Sequence, residues 1–81
     1  MERRTWQGLG GLVVAQCKGT TISRVSLLPD NGYQVELKED GPDELEVEFE
    51  GREDESGSSS SVRAVCADGV PVFESEIETD D

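Results

Sequence analysis

Cysteine is the residue type in this chain with the most chemistry to offer, and there are two, Cys17 and Cys66. Each stands in a run that alternates apolar and polar residues, Leu12–Lys18 and Val62–Asp68. Val13 and Ala15 share a face with Cys17, and Val62 and Ala64 share one with Cys66. Alternation with period two is the pattern of a half-buried strand, so both sulfurs are expected to point into one core. Joined, they would close a loop spanning most of the chain and stabilise the fold by roughly 4 kcal/mol in the chain-entropy model. Such a bond would also indicate an oxidising compartment. The two are too far apart in sequence to form a CxxC redox pair.

The other chemistries find less support. There is no histidine, so the commonest general base is missing. A serine–lysine nucleophile would need Lys18 or Lys38 at a spacing that no serine provides. No enzymatic activity, no catalytic residue and no cofactor is therefore expected. Two cysteines without further cysteine or histidine fall short of the four ligands zinc requires. Asp30-Asn31-Gly32 begins like a calcium loop, but Tyr33 to Leu37 lack the oxygen ligands such a loop needs, and turn chemistry already accounts for the triplet. Glu39, Asp40 and Asp43 offer no more than weak calcium binding, and no metal site is expected.

Carboxylates at strand spacing are the most distinctive surface feature. Glu44, Glu46, Glu48 and Glu50 alternate with Leu45, Val47 and Phe49. Like charges facing each other destabilise a sheet. The ladder should then lie beside Lys38 or arginine side chains, or at an edge, where charge discourages pairing with another chain. It is also a candidate contact face for a basic protein, whose approach it would steer. The candidate partner-contact residues are Glu44, Glu46, Glu48 and Trp6, although Trp6, just before the first strand, is better placed to cap the core. With 19 acidic against 7 basic side chains the net charge is −12, which opposes binding to nucleic-acid phosphates or anionic lipid. The expected partner is a protein, a basic one, and not nucleic acid.

The elements that must position these residues are strands. Eighty-one residues, 33% hydrophobic and 5% aromatic, make one small domain with a lean core, for which a covalent staple has particular value. Gly11–Lys18 reads as the first strand and Thr20–Leu28 as the second. Pro29-Asp30-Asn31-Gly32 supplies turn residues that preset φ or tolerate positive φ, and between two alternating runs it reads as a hairpin. Tyr33–Lys38 and Glu44–Glu50 follow, separated by a turn over Glu39–Asp43. A serine-rich loop, mobile by composition, is expected over Gly51–Ser61. Val62–Ala67 and Val70–Ile77 close the set, with Pro71 arguing for an edge position in the last strand. The expected fold is all-β: a small antiparallel β-sandwich or open barrel of about six strands with one disulfide. Residues 1–10 read as a lead-in, 11–77 as the single β domain and 78–81 as an acidic tail.

The N-terminus imitates export signals without completing one. Arg3-Arg4-Thr5-Trp6 suggests a twin-arginine signal, but the apolar stretch from Leu9 to Ala15 is short and contains Gly10 and Gly11. Val14-Ala15-Gln16-Cys17 echoes a lipoprotein cleavage box, with Gln16 poorly suited to the position before the cysteine. No stretch of about 20 apolar residues is present, so direct membrane insertion is not expected of these residues.

From Gly11 to Glu76 the chain resembles a type of small domain at the C-terminal, extracytoplasmic end of actinobacterial membrane proteins. The resemblance is carried by Gly11-Leu12-Val13-Val14-Ala15-Gln16-Cys17, Val25-Ser26-Leu27-Leu28-Pro29 and Gly32-Tyr33-Gln34-Val35. It continues through Glu46-Val47-Glu48-Phe49 and Val65-Cys66-Ala67-Asp68-Gly69-Val70-Pro71-Val72. It implies a disulfide between Cys17 and Cys66 and a sensory or interaction role, with no defined ligand. It also implies a tether upstream of Met1. The leading expectation is a non-catalytic extracytoplasmic binding module at the cell envelope. The alternative is a cytosolic acidic inhibitor that mimics nucleic acid in the groove of a basic protein, with both cysteines reduced.

Overall fold

The computed structural model describes residues 1–51 and 59–78, and among these every regular element is a strand. The order is β1 (Glu2–Gly8), β2 (Gly11–Lys18), β3 (Thr21–Pro29), β4 (Tyr33–Asp40), β5 (Leu45–Gly51), β6 (Ser59–Ala67) and β7 (Val70–Glu78). The first three form one antiparallel sheet in the order β1-β2-β3, and the last four form a second in the order β4-β5-β6-β7. The two sheets face each other as an all-β sandwich, with Val13, Ala15, Cys17 and Ile22 from the first meeting Leu45, Val47, Phe49, Val62 and Ala64 from the second. These residues are the apolar positions of the alternating runs, so period-two burial places them inside as the pattern requires.

Covalent and aromatic contacts join the sheets at opposite ends. Cys17 at the end of β2 and Cys66 near the end of β6 are bonded, with Cα atoms 5.9 Å apart. At the end where β2 begins, Trp6 of β1 stacks on Phe49 of β5, with ring centroids 6.1 Å apart and planes inclined by 11°. Gly10 is needed beside this stack: its φ is +94°, and a Cβ there would stand 2.6 Å from that of Phe49. A further glycine requirement lies in the β6–β7 turn, where Asp68 (φ 53°) and Gly69 (φ 77°) adopt the paired positive φ of a two-residue hairpin.

Four details differ from the sequence expectation, each for a local reason. Residues 2–8 are a strand instead of part of a lead-in, which makes seven strands where about six were expected. Only Trp6 in Glu2–Gly8 is apolar, so periodicity is silent there; β1 exists because β2 offers a free edge, and the two pair from Glu2↔Cys17 to Gly8↔Gly11. The Asn-Gly turn does not close a hairpin, because β3 and β4 belong to different sheets. It carries the chain across the sandwich, held by Tyr33 N donating to Asp30 O (3.0 Å) and Asp30 N donating to Gly10 O (2.8 Å).

β4 runs on through Glu39 and Asp40, where a turn was expected. Asp40 accepts two hydrogen bonds of 3.3 Å from the Arg24 guanidinium of β3, which ties the two sheets at that seam. β6 begins at Ser59, inside the expected loop. Ser60 faces the core, fully buried, and its hydroxyl donates to the Leu9 carbonyl (2.6 Å), so a polar residue sits there satisfied. The mobile loop expected over 51–61 falls mainly on residues 52–58, and the acidic tail mainly on 79–81; both stretches lie outside the described residues. Pro71 does lie on an edge strand, β7.

Candidate functional site

Because β5 turns Leu45, Val47 and Phe49 inward, Glu46, Glu48 and Glu50 stand on the outer face of the second sheet. The neighbouring strands add to them in register. β4 places Glu36 opposite Glu48 and Glu39 opposite Glu46. On the other side, β6 places Ser59, Ser61 and Arg63 opposite Glu50, Glu48 and Glu46. Beyond these, β7 supplies Glu78, Glu76 and Glu74 in the same rows. One sheet face thus carries eight glutamates across four strands, with Lys38 and Arg63 as its cations.

Those cations answer only part of the charge. Lys38 Nζ lies 3.5 Å from both Glu36 and Glu48, and the pair of carboxylates, Glu36 first, raises its pKa above the ordinary lysine value. Arg63 Nε lies 3.1 Å from Glu44, a residue of the β4–β5 turn. Arg24 likewise has its pKa raised by its hydrogen bonds and charge interaction with Asp40, but it belongs to the seam and not to this face. Exposed pairs of this kind contribute little stability each, and Glu39 remains directly opposite Glu46.

The ladder was expected either at an edge or beside cations. The edge explanation is overturned: β5 lies inside its sheet, paired on both sides. Lys38 reaches it at Glu48 and Arg63 at Glu44. Glu44 stands in the turn, paired with Arg63, while Glu46 and Glu48 stand on the open face. Trp6 does not join them; its ring is stacked on Phe49 between the sheets.

Carboxylate oxygens of Glu36, Glu48 and Glu50 lie within 4.8 Å of one another, a spacing that could hold a cation. Lys38 already reaches two of the three. Of the weak calcium candidates, Glu39 and Asp43 line a shallow cleft beside the β4–β5 turn together with Glu44, whereas Asp40 is engaged by Arg24. The Cys17–Cys66 disulfide is compatible with an oxidising compartment.

Sequence reasoning centred the contact face on β5 and missed Glu74, Glu76 and Glu78, although their alternation repeats that of the ladder. It also missed a segregation of charge along the chain. Residues 1–29 hold four basic side chains and one acidic, and residues 30–81 hold three basic and eighteen acidic. The first sheet turns outward Arg3, Thr5, Gln7, Gln16 and Lys18 without a carboxylate among them. Among the described residues the molecule is therefore two-faced, with all acidic side chains but Glu2 on the second sheet and its connections. Comparison with protein-family models, with curated proteins and with solved structures gives no match.

Proposed function

We propose that this chain is a non-catalytic, disulfide-stapled binding module of a membrane-tethered protein, working on the extracytoplasmic side of the cell envelope. It engages a basic protein partner through the outer face of its second sheet. The observation that carries this reading is the eight-glutamate face. Lys38 bridges Glu36 and Glu48, but Glu39 directly opposite Glu46 costs the sheet stability, and a cationic partner would offset that cost on docking. Clustered charge of one sign also accelerates and orients encounter with a partner of the other sign. The Cys17–Cys66 bond is compatible with an oxidising location outside the cytoplasm, in keeping with the resemblance to actinobacterial extracytoplasmic domains. Glu46 and Glu48 are the central contacts, with Glu44 at the rim; Trp6 supports the face from within by fixing Phe49 of β5.

The test is cross-linking in intact cells of the native host with a carbodiimide, which joins carboxylates to neighbouring lysines. A discrete conjugate through the peptide containing Glu46 and Glu48 is expected, lost in the Glu44→Gln/Glu46→Gln/Glu48→Gln variant. A conjugate that persists unchanged in that variant, or none at all, overturns the reading.

A further inference from the structure

The acidic face is not uniform. Row by row, Glu48, Ser61 and Glu76 stand side by side, as do Glu50, Ser59 and Glu78. The outward positions of β6 at Ser59 and Ser61 are small, and those of β5 and β7 on either side are long carboxylates. The result is a furrow along β6, floored by serine and railed by glutamate. A cleft of about 170 Å³ opens in it, lined by Glu46, Ser61, Arg63, Glu74 and Glu76. The serine floor ends at Arg63, which stands between Glu46 and Glu74 and is paired with Glu44.

We infer that this furrow binds an extended, lysine- or arginine-rich segment of the partner, lying along β6 with its side chains splayed to both rails; this rests on the reading proposed above. Spacing selects the occupant. Carboxylates along each rail recur every second residue, about 7 Å, and the rails stand two strand spacings apart, about 10 Å. An extended chain has the same two-residue repeat, so successive cations meet the β5 rail and the β7 rail in turn. A run of consecutive basic residues fills both rails, whereas basic residues at alternate positions reach only one. A helix, about 10–12 Å across with its side chains, is too broad to enter between them. The serine hydroxyls beneath can bond the peptide backbone, and as acceptors the cationic heads.

Fluorescein-labelled hexa-arginine titrated into the oxidised protein at about 20 mM salt, where charge interactions are little screened, provides the test. Three variants divide the outcomes: Glu46→Gln/Glu48→Gln on one rail, Glu74→Gln/Glu76→Gln on the other, and Ser61→Ile on the floor. Isoleucine leaves the charge unchanged, suits a strand and stands up between the rails. Each variant is expected to weaken binding by about tenfold, the sum of two lost ion pairs or of a blocked approach. A peptide of the same charge with arginine alternating with serine is expected to bind more weakly than hexa-arginine. If one rail alone matters, or Ser61→Ile binds as well as the parent, the furrow is overturned and the acidic-face reading stands. If hexa-arginine does not bind at all, both fall. Thermal melting of each variant confirms that the sandwich is retained.

Discussion

Cys17 and Phe49 show how single residues hold this fold. Cys17 is 1% exposed and Phe49 is fully buried, yet they secure opposite ends of the sandwich by different means. The disulfide acts on the unfolded chain, whose freedom it restricts; with the cysteines 49 positions apart, the chain-entropy model gives about 4 kcal/mol. Reduction, or the Cys17→Ala/Cys66→Ala variant, is expected to lower unfolding free energy by about that amount, read by chemical denaturation. A loss below about 1 kcal/mol would place the stability in the aromatic end instead. Both cysteines were legible in the sequence because each lay on the apolar face of an alternating run. The stack of Trp6 on Phe49 was not, since it depends on the strand that lifts Trp6 over β5.

At the scale of the element, β5 is the informative strand. Its alternation of leucine, valine and phenylalanine with glutamate fixed both its inward and its outward face, and the structure follows it residue by residue. Its place in the sheet was another matter. Strand alternation says which side is wet, but not whether a neighbour pairs on one edge or on both. β5 proves to be interior, and Glu39 of β4 is held directly opposite Glu46, with like charges destabilising the pair. Glu39→Gln is accordingly expected to raise the melting temperature, by roughly 0.5 kcal/mol of stability, and a fall would show that the repulsion is relieved by some other contact. The same limit explains the Asn-Gly turn. Its residues specify a reversal of the chain, but whether the next strand pairs with the last or crosses to the opposite sheet is decided by which edges are already occupied.

For the whole molecule, charge is the dominant property. Among the described residues the second sheet and its connections hold thirteen of the fourteen acidic side chains, so repulsion is concentrated on one side while the other carries Arg3 and Lys18. Self-repulsion of this kind destabilises a compact state and is screened by salt. Melting temperature is expected to rise between about 10 mM and 500 mM sodium chloride, the range over which the Debye length falls from about 30 Å to a few ångströms. A flat response would mean that Lys38 and Arg63 already neutralise the face. The furrow on β6 belongs to this scale, because no single strand contains it.

The sequence by itself determined the all-β class, the inward face of each alternating strand, the two cysteines of the disulfide and the acidic character of the surface. Each is a local property, written in the period of the side chains or in their sum. Only the tertiary structure decided that Glu2–Gly8 completes the first sheet, that β3 and β4 part company at Asn31-Gly32, and that the glutamates of β5 and β7 flank the serines of β6. Those facts depend on which strand edges meet. Edge pairing is made by backbone groups that every residue carries alike, so side-chain pattern leaves it open until the whole chain is packed.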